Sequence, residues 1–405
     1  DNLRAALEFS LETPGETLAG LRLAGTLWFY WFACGAPREG RYWLDRALDA
    51  APEPTRERAR ALWVAGVLAC CPEDLTRGRR RAEDARALAR RLGHPAEVAH
   101  AEHLLGLTDL FGDDLPGALE HYEAAVARKP VPGQHPSIAV LDQVQLACTL
   151  AFLGRTDEAV ELCETAHRVC AAQGEEWVRS YALRVLAWAY IVRKEWSRAE
   201  PPAREALRRK LAVHDVIGIG FTLDLLVVIA TALGAHERAA VLLGGSDRVW
   251  ADIDSNRFGS TVFNAARRDS EAAVRAAVGR REFDRAYRRG ARLGLAEIVS
   301  YAIQETADPS PETETETETE TETETETETE TEAVRTVPAP RAAGTPLTSR
   351  ETEVAHLVAE GFGNQQIADR LVIARRTAEG HVERILRKLG FTRRSQIAAW
   401  VSARE

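Results

Sequence analysis

Leu104 to Pro130 reads LLGLTDLFGDDLPGALEHYEAAVARKP, and its spacing decides the fold. Leu105 and Gly106 belong to a first helix. After a polar turn, Ala118, Tyr122 and Ala125 fall at i, i+4 and i+7, one face of a second helix, and Pro130 stops it. Two short helices follow from this pattern.

Working outward, small residues after a glycine or polar turn recur about every 40 residues, at Gly40, Ala118, Ala159, Ala199 and Ala239, with Gly78 filling the gap between the first two. Gly154, Ala159 and Ala166 repeat the scheme. So do Tyr190, Ala199 and Ala206, and so do Trp31, Gly40, Leu44, Ala47 and Pro52. The unit closely resembles a tetratricopeptide repeat, in which small residues let two antiparallel helices approach, an aromatic (here Tyr122) fills the gap between neighbouring pairs and a proline stops the second helix. That resemblance implies an all-α, right-handed solenoid whose groove takes a protein or peptide partner. The repeats cover roughly residues 15 to 250. Past Trp250 the register is lost, Ser255 to Ser260 reads as a loop, and further helices run to about Gln304.

Charge divides the chain into three parts. The formal net charge is −9, but residues 312–332 alternate Glu and Thr and contribute eleven carboxylates. A strand there would carry like charges on one face and no large apolar group on the other, so we expect disorder. We place a helical repeat domain at 1–306, a disordered Glu-Thr-rich linker at 307–345 and a small four-helix domain at 346–405. The linker spans on the order of 35 Å as a flexible chain. Its carboxylates could compete with phosphate for a basic helix, although a passive tether is the simpler expectation. Only the C-terminal part is net basic, with 10 Arg and Lys against 7 acids.

That part carries helix signals in close order. Thr348-Ser349-Arg350-Glu351 is a capping box. Val354, Leu357 and Val358 form a core stripe, and Gly361 with Gly363 ends the helix. Asn364 caps a second, shorter helix with Ile367, Ala368 and Leu371 inward. Ala378, Val382, Ile385, Leu386 and Leu389 lie on one face of a third helix, closed by Gly390, and Thr392 opens a fourth. At 100° per residue the opposite face centres on Gly380. Arg376, Thr377, Glu383, Arg384 and Arg387 flank it, with His381 and Lys388 at its edge. Arginines on such a face can grip phosphate or pair with guanine. Glu379 and Glu383 could accept from cytosine N4 or pair with Arg375, Arg384 or Arg387.

The segments PLTSRETEV, LVAEGFGNQQIADRL, RRTAEGHVERILRKLG and RRSQIAAWV resemble the LuxR-type helix-turn-helix domain. The resemblance implies a four-helix module that binds double-stranded DNA as a homodimer. Its third helix would lie in the major groove, and its last helix, about Arg393 to Ala403, at the dimer contact. Carried over, Glu379, Gly380 and Glu383 take base-facing positions and Arg376, Thr377, Arg387 and Lys388 backbone-facing ones. The full candidate DNA-binding set is Asn364, Arg375, Arg376, Thr377, Glu379, Gly380, His381, Glu383, Arg384, Arg387 and Lys388. The chain departs from the family at Ala374, usually a capping serine, and at Ala378, usually valine. Helical repeats followed by this domain are similar to the C-terminal half of large LuxR-type regulators that carry a nucleotide-binding module upstream.

No catalytic signature or cofactor site is legible. GLRLAGT, Gly20 to Thr26, has the glycine spacing of a phosphate loop but no lysine and no preceding strand, so it reads as helix packing. The six cysteines sit in apolar helical patterns without a CxxC pair, as small reduced hydrophobes. His94, His100 and His103 lack a further ligand at matching spacing and read as solvated or capping residues, not a metal site. The basic runs Arg77–Arg81 and Arg86–Arg91 read as a solvated helix face. LWFYWF, residues 27–32, reads as a segment buried against a missing neighbour upstream. The longest apolar run, Leu225–Ala235, is about half the roughly 20 residues of a membrane helix, so we expect a cytoplasmic chain with no membrane partner. Because the chain lacks methionine and opens within a helical pattern, we expect a piece of a longer protein. These features favour a sequence-specific DNA-binding transcription regulator whose repeats receive a signal or partner. The alternative is an interaction scaffold whose C-terminal domain contacts protein.

Overall fold

The computed structural model describes residues 2–71, 74–128, 130–253, 257, 259–304, 347, 349–371, 373, 375–389, 391 and 394–402. The expected disorder of the linker falls on residues 307–345, outside that set. Among the described residues every regular element is a helix.

The chain enters through α1 (Asn2–Glu12), α2 (Thr17–Thr26), the single aromatic turn α3 (Trp28–Phe32) and α4 (Pro37–Ala50). Five helix pairs follow. They are α5 and α6 (Arg56–Val67, Leu75–Leu92), α7 and α8 (Pro95–Phe111, Leu115–Ala127), α9 and α10 (Pro136–Phe152, Thr156–Gln173), α11 and α12 (Glu176–Val192, Trp196–Ala212), and α13 and α14 (Val216–Ala232, His236–Ile253). α15 (Thr261–Arg292) and α16 (Leu295–Ile303) close the series. Gly279, at φ 77° and ψ 162°, breaks α15 into two helices.

Backbone conformation shows the repeat more sharply than side chains do. Within successive pairs the turn passes through a left-handed residue at Asp113, Gly154, Lys194 and Gly234; between pairs it does so at Gly93, Gly133, Gly174 and His214. Both series advance by 40 or 41 residues. The position demands the left-handed region whatever the residue, so glycine is used where available and Asp, Lys or His carries the strain elsewhere. Five residues after each intra-pair turn stands a fully buried alanine, at 118, 159, 199 and 239.

Small residues do allow the close approach, although Tyr122 closes on the glycine of its own pair. A Cβ at Gly106 would lie 2.8 Å from Cζ of Tyr122, whose ring is fully buried against that gap. A Cβ at Gly40 would meet Trp31 at 2.6 Å. Caps start the helices: Thr55 Oγ1 accepts from the Arg58 amide at 3.1 Å, and Asp114 Oδ1 from the Gly117 amide at 3.1 Å. GLRLAGT lies within α2 as expected. Five cysteines are buried, Cys34 is half-buried, and all are unbridged.

Three expectations change. His100 and His103 are buried, not solvated: His100 Nδ1 lies 3.2 Å from Glu97 Oε2 and His103 Nδ1 lies 2.7 Å from Asp142 Oδ1. Each imidazole is tied to a carboxylate in the core. Among the described residues no group of three or more His, Cys, Asp or Glu could hold a metal ion. The basic runs of α6 are largely exposed, yet several arginines reach neighbouring helices, with Arg77 on Asp45 at 2.7 Å and Arg90 on Glu102 at 3.0 Å. The tryptophans of the aromatic turn α3 are buried by later helices of the chain: the Trp28 ring centre lies 5.7 Å from that of Trp63, 5.5 Å from Trp177 and 5.4 Å from His135, while Tyr30 stays exposed. The helix series curls back on itself there, and the Val216 amide at the start of α13 donates to the Ala33 carbonyl at 2.6 Å. No helix among the described residues is long and apolar enough to cross a membrane.

Candidate nucleic-acid interface

Four helices form the C-terminal module: α17 (Ser349–Ala359), α18 (Asn364–Leu371), α19 (Arg375–Leu389) and α20 (Arg394–Ser402). Val354, Ala355, Leu357 and Val358 bury one face of α17, which packs with α20, where Ile397 and Val401 are buried. Gly361, at φ 87°, ends α17 in the left-handed conformation. Thr348 lies outside the described residues, so the Thr half of the capping box does too. The Glu351 carboxylate is buried and accepts from Lys388 Nζ of α19 at 2.6 Å.

α18 begins at Asn364, and the Gln366 side chain accepts from the Gly363 amide at 2.8 Å. Gln366 thus adds a cap at the start of the helix that opens with Asn364. Ile367 and Ala368 are buried, and the Ile373 amide donates to the Ala368 carbonyl at 2.9 Å, folding the turn that leads into α19. Val372 and Ala374 lie outside the described residues. On α19, Ala378, Val382 and Ile385 are buried as expected, while Leu386 and Leu389 are only half-buried.

His381 is the clear correction. It was expected at the edge of the exposed face and is fully buried, with its Nδ1 3.2 Å from Arg384 Nη2. The buried stripe is therefore 378, 381, 382 and 385, and at 100° per residue the opposite face centres on positions 376, 380, 383 and 387. The lever is rotation: burying 381 turns the helix slightly and brings 387 to the middle of the open side. The side chains of Arg376 and Arg387 are outside the described set, so only their backbone positions are placed. A Cβ added at Gly380 would meet nothing within 4 Å.

Residues 345–401 match the family of bacterial regulatory proteins, luxR family. The C-terminal module is a LuxR-type helix-turn-helix domain. A putative HTH-type transcriptional regulator of Mycobacterium tuberculosis is 29% identical over 289 residues, which are 71% of this chain and 28% of that protein. That alignment is far longer than the LuxR-type domain and so extends into other parts of the chain. The chain spans little more than a quarter of the length of that relative. Over the domain itself, the DNA-binding transcriptional activator DevR/DosR of M. tuberculosis is 43% identical across 56 residues, 14% of this chain and 26% of that protein. The oxygen regulatory protein NreC of Staphylococcus aureus is 35% identical across 54 residues, 13% and 25% of the two chains.

Within the LuxR-type domain the remaining candidates fall into two groups. Glu383 and Arg384 are exposed, and Thr377, Glu379 and Gly380 are half-exposed on α19. Arg375 is exposed and donates to Glu379 at 2.9 Å, so one of the two acidic residues has a local counter-charge. Lys388 and Asn364 are half-buried, and Lys388 is held by Glu351. That ion pair joins residues 37 positions apart, and no local pattern announced it. Lys388 therefore clamps α19 to α17.

Proposed function

We propose that this chain is the repeat-bearing, DNA-binding part of a sequence-specific transcription regulator. The observation that carries this is the LuxR-type domain at 345–401, whose α19 presents an open face centred on positions 376, 380, 383 and 387. In this reading α19 enters the major groove, Arg376 and Arg387 contact backbone phosphate or guanine, and Thr377 near the helix start meets a phosphate. Glu383 accepts from cytosine N4, and Glu379, engaged by Arg375, orients that arginine. His381 and Lys388 support the helix from behind. The domain pairs with a second copy through α20, the repeats serve as the input module, and the chain works in the cytoplasm.

The test is selection from a random duplex pool by the full chain, followed by a salt titration. Enrichment of a site with two related halves is expected, with log K falling against log salt by about 0.9 per phosphate contacted. No enriched duplex, together with a protein partner retained after removal of residues 346–405, would favour the scaffold reading instead.

Gly380 gives a sharper check, because two effects of one substitution have opposite sign. Open space around its added Cβ means that Gly380→Ala should raise the domain's stability by up to about 1 kcal/mol through helix propensity. Against DNA the same methyl occupies the closest point of approach, so affinity should fall. Thermal melting and duplex titration of one variant read both. A gain in melting temperature with unchanged affinity would move the DNA contact away from Gly380.

A further inference from the structure

The first helices of successive pairs converge on a single space. Residues of α3, α5, α7, α9, α11 and α13 wall a cavity of about 640 Å³ including its mouth, among them Trp28, Trp63, Trp177, Tyr181, Arg184 and Phe221. Its wall is mostly aromatic, the character of a site for an apolar ligand body. The ring-to-ring contacts of Trp28 with Trp63 and Trp177 hold that wall together.

Arg184 is the anomaly in it. The side chain is only 6% exposed. Other buried cations of the repeat helices each have a carboxylate: Lys210 has Asp215 at 3.0 Å, Arg204 has Glu200 at 2.6 Å, and Arg267 has Glu271 at 2.6 Å and Asp247 at 2.7 Å. Arg184 makes no hydrogen bond or ion pair among the described residues. Its guanidinium carbon lies 5.3 Å from the ring centre of Phe221 and 5.0 Å from that of Phe263. Arg184 Nε, Trp63 Nε1 and Trp177 Nε1 are buried donors without an acceptor. Desolvating a cation and two indole N–H groups with nothing to receive them is unfavourable, and aromatic faces compensate only part of it.

We propose that this cavity binds a small amphipathic carboxylate, its apolar body among the tryptophans and its carboxylate accepting from Arg184. A carboxylate matches the planar guanidinium fork and brings a single charge. A phosphate dianion would bring a second charge to a wall with no second cation free to meet it, since His103 is already paired with Asp142. The assignment concerns the repeat helices and holds whether or not the LuxR-type domain binds DNA.

The test is isothermal titration calorimetry of the full chain with phenylacetate and octanoate, each against its own neutral amide, phenylacetamide and octanamide. At least one acid should bind about tenfold or more tighter than its amide. Arg184→Met should abolish that preference while preserving far-ultraviolet circular dichroism. Absence of binding by both acids at millimolar concentration overturns the proposal, as does equal affinity for acid and amide or a preference that survives in Arg184→Met. If the variant does not fold, the acid-against-amide comparison on the natural chain still decides.

Discussion

Asp215→Ala is expected to destabilise the repeat helices by about 3–5 kcal/mol, the range for removing one partner of a buried ion pair. Lys210 and Asp215 are both fully buried, with Nζ and Oδ2 3.0 Å apart. Asp215 also caps α13, its Oδ1 accepting from the Gly218 amide at 2.8 Å. The substitution therefore strands a cation and uncaps a helix at once. Lys210 Nζ would keep Ser180 Oγ at 3.0 Å and the Tyr181 ring face, 3.2 Å from its centre, neither of which carries a full negative charge. The double variant Lys210→Met/Asp215→Asn removes the charge and its partner together, and should recover much of the loss. Urea unfolding of the natural chain and the two variants reads this directly. A loss under about 1 kcal/mol in Asp215→Ala would take the pair out of the account of stability.

The same pair carries a pH signature. Burial pushes the Lys210 ammonium down to about 8, with Asp215 offsetting part of that effect. Between that value and the ordinary lysine range the unfolded chain holds one more proton than the folded one, so this group makes stability rise with pH across roughly 8 to 10.5. Buried thiols such as Cys70, pushed well above their ordinary value, act in the opposite direction over part of the same range. The clean measurement is therefore a difference. Relative to Lys210→Met, the natural chain should gain about 1.4 kcal/mol per pH unit in that window. A flat difference would mean that Lys210 titrates alike in both states.

The largest functional effect is expected from Arg376→Ala/Arg387→Ala. The two positions lie opposite the buried stripe of α19, so removing them leaves Ala378, His381, Val382 and Ile385 in place and the fold intact. Each lost phosphate contact lowers the salt slope by about one, and each lost guanine contact costs about 1–3 kcal/mol. Together they should weaken specific duplex binding on the order of a hundredfold. Lys388→Ala is expected to behave differently. Lys388 is held at 2.6 Å by the buried Glu351 carboxylate, so its loss should lower the melting temperature of the domain as well as its affinity. Unchanged duplex affinity in the double arginine variant, with its melting temperature retained, would falsify the assigned face.

Much of this was legible in local spacing. The buried alanines at 118, 159, 199 and 239, the seat of Tyr122 on Gly106, and the inward residues Val354, Leu357, Ile367, Ala378 and Ile385 all follow from small residues and a 3.6-residue period. His381 was misread because a residue at the edge of a helical stripe is buried or exposed according to what lies beside it, which periodicity does not encode. His100 and His103 were misread for two reasons. Glu97 stands at the i, i+3 spacing at which helical side chains pair with His100 and was overlooked, whereas Asp142 lies thirty-nine residues from His103 and no local spacing marks it.

By itself the sequence determined the kind of helices, their pairing, the 40-residue period and the LuxR-type domain, because those depend on hydrophobic spacing, caps and turns within a few tens of residues. Only the tertiary structure decided what meets across the curl of the repeats. Trp28 reaches Trp177, and Arg184 packs on Phe221 and Phe263 with no ion pair among the described residues. Those outcomes are set by the superposition of many small rotations between successive pairs. A local pattern cannot sum them, and packing must.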